Sequence, residues 1–318
     1  MTHKVLISTA KFGGYEEQAR ELLARHGCSL IEHDRHGSMD EATLIELARD
    51  ASAIIAGPEQ VSDRVMAAAP RLQVIHAPGV GYDHIDVAAA TRRGIAVCVA
   101  AGCNHHAVAE LALGMMIALA RQIHLMDRAI REGRWLAATG MEFWGKTLGI
   151  IGLGSIGKSL ALLGRGLGMR VLAHDALRDL TFANQHEISY VSLRRLLTES
   201  DVVSLHCPLI PQTRQLINAE TLALMKPTAY LINTARGALV DEMALADALR
   251  DGRLAGAALD VFEREPPRPN LFARFDNVIL TSHRGGATHE AIESSLEVAI
   301  TNIGRVLNGD APLYRVNG

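Results

Sequence analysis

A chain of 318 residues is longer than one ordinary hydrophobic core supports, so two domains are expected. With 48% hydrophobic and 21% charged residues and no low-complexity tract, it should fold throughout. A formal net charge of −3 argues against nucleic acid or an anionic membrane as the main partner.

The longest apolar run, residues 108–120, is interrupted by Glu110 and is too short to span a bilayer. The N-terminal MTHKVLISTA reads as a first strand and lacks the apolar core of a signal peptide. The cysteines (Cys28, Cys98, Cys103, Cys207) form no CxxC pair and no zinc spacing. They read as reduced thiols of a cytoplasmic protein.

In chain order, short apolar strands are expected at 4–9, 29–32, 53–56, 73–76 and 96–99, with helices at 16–26, 41–50 and 62–68. This alternation implies a mostly parallel sheet covered by helices, with no glycine fingerprint after its first strand. A long helix follows, with Asn104 as its N-cap and Val108, Leu111, Ala112, Met115 and Leu119 on one apolar face. It reads as a domain connector packed on both sides. Residues 127–144 carry Trp135 and Trp144 beside charged residues, a combination that suggests a subunit contact.

The stretch TLGIIGLGSIGKSLALLGRGLGMRVLAHD, residues 147–175, organises the rest. An apolar strand at 148–151 runs into Gly152-Leu153-Gly154-Ser155-Ile156-Gly157, then a helix, then a second strand at 169–173 and the acid Asp175. That order is the dinucleotide-binding fingerprint in its confirming context. Gly152 allows the turn, Gly154 lets amides approach a pyrophosphate, and Gly157 lets helix and strand pack closely. The helix dipole favours the phosphates, and Asp175 is placed to accept the ribose hydroxyls.

Further strands are expected at 202–205, 229–232, 256–259 and 278–281, each after a helical segment, for a six-stranded sheet. A last helix, 290–307, should end at Asn308-Gly309. Ligands of open α/β sheets sit beyond the carboxyl ends of the strands. There the sequence places His206-Cys207-Pro208, then Asn233-Thr234-Ala235-Arg236-Gly237, then Asp260 with the loop to Glu265, and finally Ser282-His283-Arg284-Gly285-Gly286. A cation, a carboxylate and an imidazole on three strand ends suit hydride transfer between a nicotinamide and a carbonyl. Arginine binds a carboxylate and a neighbouring oxo group, histidine moves the proton, and glutamate fixes its tautomer.

These motifs resemble the D-isomer-specific 2-hydroxyacid dehydrogenase family. The similarity also covers Gly79-Val80-Gly81-Tyr82-Asp83-His84-Ile85-Asp86, Asn104 with Val108-Ala109-Glu110, Gly145-Lys146-Thr147-Leu148-Gly149, Leu205 to Leu209 with Thr213, and Asp260-Val261-Phe262 with Glu265-Pro266. The resemblance implies an α/β protein of two doubly wound, Rossmann-like domains. A flavodoxin-like substrate domain would comprise 1–101 plus 288–318, and an NAD-binding domain 102–287. It makes Arg236 the substrate-binding arginine, His283 the acid/base and Glu265 its partner. The amides of Val80 and Gly81 would hold the substrate carboxylate, alongside Arg236 and His283. For NAD it implies Gly152, Gly154, Ser155, Ile156, Gly157 and Asp175, with His206, Cys207, Pro208 and Thr213 on the adenine side. Thr234, Ala235, Arg236, Asp260, His283 and Gly286 would surround the nicotinamide half. A homodimer is the implied state.

Departures from the family pattern sharpen the reading. Ser282 and Arg284 flank His283, where proline and an uncharged residue are usual. A guanidinium aimed at the imidazole would oppose Glu265, and Arg284→Ala would then raise the pH at which reduction falls off. A guanidinium in solvent would change nothing. Ala107 stands where Ser or Thr is usual. Neither Ala77-Pro78 nor Ala56-Gly57-Pro58-Glu59 offers a cation for a substrate phosphate, unless Lys11 or a partner subunit compensates. An unphosphorylated 2-oxo acid such as glyoxylate or hydroxypyruvate is therefore expected, with 3-phosphoglycerate as the alternative. Asp175 would repel a 2′-phosphate, which favours NAD over NADP. Family corepressors that sense NAD(H) provide a non-enzymatic alternative. No metal site is expected: His105 and His106 should diverge as helix neighbours, and His33 and His36 lack ligand partners.

Overall fold

The computed structural model describes residues 3–9, 12–33 and 39–318, so Lys11 and His36 lie outside the described residues. The chain divides into two units, Met1–Asn104 with Gly286–Gly318, and His105–Gly285. The divisions fall at 104 and 286, where the sequence reading placed them at 101 and 288, so Gly286 belongs to the first unit.

The first unit alternates β1 (His3–Ile7), α1 (Glu16–Arg25), β2 (Cys28–Leu30), α2 (Glu41–Ala48), β3 (Ala53–Ile55), α3 (Asp63–Ala68), β4 (Val74–Ala77), α4 (Val87–Arg92) and β5 (Ala96–Val99). The strands form one parallel sheet in the order β2-β1-β3-β4-β5. Short polar side chains start its helices: Asp40 accepts the Thr43 amide at 2.8 Å, and Ser62 and Asp86 do the same for Val65 and Ala89. The last helix of the chain, α12 (His289–Leu307), returns to this unit. Its Leu296, Ala299, Ile300 and Ile303 complete the core formed by Val5, Leu23, Val74 and Cys98. It ends at Asn308, and Gly309 takes the left-handed conformation (φ +85°).

The second unit opens with α5 (His105–Ala120) and α6 (Ile123–Arg131). Asn104 does not cap α5 through its side-chain oxygen, because Oδ1 is buried without a partner. Nor is α5 a connector with one apolar stripe. It is a core helix of this unit, packed on α7 and the sheet and burying Ala107, Val108, Ala109, Ala112, Met115, Met116, Leu119 and Ala120. Helices buried around most of their circumference need no polar face. The rings of His105 and His106 do not diverge; their centroids lie 3.9 Å apart. In the first turn no preceding turn restricts χ1, so adjacent side chains can swing together.

The sheet of this unit is built from β6 (Thr147–Ile151), β7 (Arg170–His174), β8 (Ser189–Tyr190), β9 (Val202–Leu205), β10 (Tyr230–Asn233), β11 (Gly256–Leu259) and β12 (Val278–Leu280). Its helices are α7 (Ser155–Gly166), α8 (Leu180–Gln185), α9 (Leu193–Glu199), α10 (Ala219–Leu222) and α11 (Glu242–Arg250). The seven parallel strands run β12-β11-β10-β9-β6-β7-β8, one more than the six expected. The addition is β8, whose two residues are too short to show a periodic pattern. A second correction concerns β12, which follows β11 through a loop rather than a helix. The order of the strands reverses between β6 and β9, so the ligand crevice is expected there. One core face unites Leu148, Ile150 and Val171 with Met115, Met116 and Leu160, while the other unites Ile151, Val203 and Leu205 with Leu196, Leu197, Leu245 and Leu249.

Candidate active site

The turn after β6 is shaped by close backbone approaches. Gly152 has φ +96°, and a Cβ there would lie 2.4 Å from the Cys207 amide nitrogen. A Cβ on Gly157 would lie 2.1 Å from the Gly152 carbonyl oxygen, so α7 can seat against β6 only without a side chain. A Cβ on Gly154, by contrast, would meet nothing within 4 Å. This glycine is not demanded by the protein's own packing. It leaves open space beside the start of α7, where Ser155 and Ile156 present the first amides of the helix. A pyrophosphate fits such a cradle. At the end of β7, Asp175 accepts the Leu153 amide at 2.6 Å and the Leu177 amide at 2.9 Å, which ties the acid to the glycine turn.

Opposite this turn, the end of β9 supplies His206, Cys207 and Pro208. Ser204 Oγ lies 2.8 Å from His206 Nε2, and His206 Nδ1 is buried without a partner. Burial pushes the His206 ring down to about 3, so it is neutral at physiological pH. Burial likewise pushes the Cys207 thiol up to about 11, with the Asp175 charge adding to the shift, so it is not a nucleophile. The Thr213 hydroxyl donates to the Pro208 carbonyl at 2.7 Å and accepts the Ile210 amide at 2.9 Å. Its observed work is thus to shape the 208–213 loop.

The end of β10 is similarly built from within. Asn233 is buried; its Nδ2 donates to the Arg236 carbonyl at 2.8 Å and its Oδ1 accepts the Ala235 amide at 3.0 Å. Arg236 Nη1 donates to the Ala235 carbonyl at 2.7 Å. The Thr234 hydroxyl is buried with no partner, a polar group that a ligand amide would satisfy. Gly237 then permits the tightest approach of the site, since a Cβ there would lie 1.9 Å from the Phe262 carbonyl carbon. The Arg236 loop therefore rests directly on the loop that carries Glu265.

Asp260, at the end of β11, is 1% exposed. Its Oδ1 accepts the Thr281 hydroxyl at 2.6 Å and the Arg284 amide at 2.7 Å, and its Oδ2 accepts the Gly285 amide at 2.8 Å. The His283 amide donates to the Asp260 carbonyl at 2.7 Å, holding His283 at φ +54°. That is an unusual conformation for a non-glycine residue, and Asp260 is what over-determines it. His283 Nδ1 lies 2.7 Å from Glu265 Oε2, while Glu265 Oε1 accepts the Phe262 amide at 3.0 Å. A carboxylate only accepts, so Nδ1 carries the proton and Nε2 is left for chemistry. Burial alone would raise the Glu265 carboxyl. The His283 bond and charge, the Phe262 amide and the Arg236 charge outweigh it and hold Glu265 below the usual carboxylate range.

Arg236, Glu265 and His283 thus converge within the second unit. The Arg284 side chain is exposed and makes no hydrogen bond among the described residues, so nothing in the geometry aims it at the imidazole. In the first unit, exposed Val80 and half-buried Gly81 follow β4, where Ser295 donates to the Pro78 carbonyl at 2.6 Å. Gly286 abuts Asn104, whose Nδ2 would lie 3.0 Å from a Cβ at 286. His33 Nε2 donates to the Ile7 carbonyl, 2.9 Å away, as an ordinary loop contact. Sequence reasoning passed over Glu242, six residues after Arg236, which accepts the Glu263 amide at 2.8 Å. It also named Asp260 without its clamping role.

The family model described as "D-isomer specific 2-hydroxyacid dehydrogenase, NAD binding domain" matches residues 113–285. A glyoxylate reductase of Korarchaeum cryptofilum is 40% identical over 86% of this chain and 85% of its own length. A D-3-phosphoglycerate dehydrogenase of Synechocystis sp. is 42% identical over 82% of this chain but only 48% of its own. Among solved structures, the TT0316 protein of Thermus thermophilus is 37% identical with a TM-score of 0.90, covering 98% of this chain and 99% of that one. A D-lactate dehydrogenase of Aquifex aeolicus, complexed with NAD and lactic acid, is 28% identical with a TM-score of 0.85, covering 99% of this chain and 98% of that one.

Proposed function

Since the chain belongs to the D-isomer specific 2-hydroxyacid dehydrogenase family and is an oxidoreductase interconverting 2-oxo and 2-hydroxy acids with a nicotinamide dinucleotide, we propose that it reduces a small unphosphorylated 2-oxo acid, glyoxylate or hydroxypyruvate, with NADH. The observation that carries this reading is the 2.7 Å His283–Glu265 pair set beside Arg236. The glycine turn, Asp175 and the Thr234 region would hold the cofactor, and nicotinamide, when bound, would supply the hydride.

In the reducing direction Nε2 of His283 gives its proton to the substrate's carbonyl oxygen, and in the oxidising direction it takes one back. Glu265 keeps Nδ1 protonated and stabilises the charged ring. Arg236 holds the substrate and polarises its oxo group, since a planar fork binds the α-keto carboxylate and remains cationic. Asp175 disfavours a 2′-phosphate, which supports NAD rather than NADP.

The absence of a cation at Ala77-Pro78 supports an unphosphorylated substrate. In the 56–59 segment the one charged group, Glu59, is buried and accepts the Ser8 hydroxyl at 3.2 Å and the Met39 amide at 3.3 Å. The phosphoglycerate dehydrogenase relative favours a second substrate, 3-phosphohydroxypyruvate. NADH oxidation with glyoxylate, hydroxypyruvate, pyruvate and 3-phosphohydroxypyruvate separates them. Turnover should be greatest on one of the first two and fall by about 100- to 10,000-fold in His283→Ala. NADH binding without turnover on any would overturn the reading. Exposed Trp135 and Trp144, at 89% and 78% exposure, support a homodimer.

A further inference from the structure

Glu242 is the first residue of α11, only a few residues after Arg236 in one continuous loop-to-helix segment. Asp241 caps the helix by accepting the Ala244 amide at 3.0 Å, which leaves the Glu242 carboxylate for another purpose. Its Oε1 reaches out of the helix to accept the Glu263 amide at 2.8 Å. Glu263 lies between Phe262, whose amide Glu265 accepts, and Glu265 itself. The same Phe262–Glu263 peptide is the backbone that Gly237 rests on. One short peptide thus touches the arginine loop at Gly237, the acid's own carboxylate through Phe262, and Glu242 from beneath.

We propose that Glu242 is a positioning residue that locks the Glu265 loop to the Arg236 loop and adds a negative charge behind the Glu265–His283 pair. The inference rests on the dehydrogenase reading above. A bond from α11 fixes the loop to a rigid element, and the loop otherwise carries Glu265 on residues that are largely exposed. Several charges share this surroundings. Glu242 and Glu263 lie in a surface depression with Arg264 and Arg268. Arg214 pairs with Glu263 at 2.8 Å, and Arg236 acts on Glu265. Glu242 is itself half-buried; burial first, then the Glu263 and Glu265 charges, hold its carboxyl above the usual range against the Glu263 amide. Glu242 therefore sits close enough to Glu263 and Glu265 for their charges to act on it.

Three variants of the full chain separate the mechanical from the electrostatic contribution: Glu242→Gln, Glu242→Asp and Glu242→Ala. Hydrogen exchange at the Glu263 amide reads the bond without cofactor or substrate. The pH profile of kcat/KM reads the charge. Glu242→Gln keeps an acceptor oxygen, so Glu263 should stay protected and KM should stay within about twofold, while the alkaline limb of reduction moves down by about half a pH unit. Glu242→Ala should lose protection at Glu263 and lower kcat by about 10- to 100-fold, as expected when a proton-moving pair drifts from register. Glu242→Asp, shorter by one methylene, should fall between them. Protection retained in Glu242→Ala, with kcat within twofold of the native value, would overturn the positioning role. An unmoved pH profile in Glu242→Gln would overturn the charge role, even if Glu242→Ala failed to fold. A native protein that turns over no 2-oxo acid, yet loses Glu263 protection in Glu242→Ala, would sink the functional reading and leave the lock standing.

Discussion

Both oxygens of Asp175 accept backbone amides, one from the glycine turn and one from the loop after β7. Its charge is therefore fixed at the edge of the cradle rather than free to turn away from a phosphate. Arg178 stands just beyond, exposed, with its guanidinium 5.7 Å from the Tyr190 ring centroid. Asp175→Ser removes the repulsion, keeps one hydroxyl acceptor for the amides, and leaves that guanidinium as the nearest cation in sequence. The ratio of kcat/KM for NADPH to that for NADH should rise by about 10- to 100-fold, a change of about 1.4 to 2.7 kcal/mol in relative binding of the transition state. An unchanged ratio would mean that Asp175 does not discriminate between the two cofactors.

At the scale of elements, α7 is held to β6 by the absence of one atom. Gly157→Ala places a methyl group 2.1 Å from the Gly152 carbonyl oxygen, a backbone atom that cannot swing aside, with the Ile150 side chain next at 3.1 Å. The helix must shift, and the cradle at its first turn shifts with it. Gly157→Ala should weaken NADH binding by more than about tenfold and cost about 1–3 kcal/mol of stability by overpacking. Calorimetric titration and thermal melts measure the two effects; native affinity in a folded variant would count against the fit of the cradle. The fingerprint was legible because its glycines, strand and acid are close in sequence, and the long helices because apolar residues recur along them. β8 was not legible, being two residues long, and neither was the missing helix before β12, where residues 260–277 form turns around the acid. The arginine, glutamate and histidine could be named from strand ends. Their mutual distances depend on Gly237, Asp260 and Glu242, which act across the sheet and leave no local pattern.

Across the whole molecule, acid stability should be set partly by a buried histidine of the first unit. His76 in β4 is fully buried, and its Nε2 lies 3.1 Å from Asn302 Nδ2, so the ring accepts there and is neutral. Burial holds its pKa down to about 4, against about 6.5 when unfolded. Between these values the unfolded chain binds a proton that the folded chain refuses, so stability is intact above about 6.5 and declines as pH falls toward 4. The loss is on the order of 3 kcal/mol. His76→Gln should flatten the dependence of Tm on pH over that window, and a curve of native steepness would assign the acid sensitivity elsewhere. The exposed tryptophans add a test at the same scale: if they form the proposed subunit contact, sedimentation should show a dimer for the native chain and monomers for Trp135→Ala/Trp144→Ala, and a native monomer would remove the contact.

The return of α12 to the first unit also governs timing during synthesis. Leu296, Ala299, Ile300 and Ile303 leave the ribosome only after the entire second unit has emerged, which at about 5–20 residues per second is a wait of roughly 10–40 s. For that interval the face formed by Val5, Leu23 and Val74 lacks its cover. The nucleotide unit can mature first, while the earlier-made half waits as an open, sticky surface that nascent-chain chaperones would be expected to occupy.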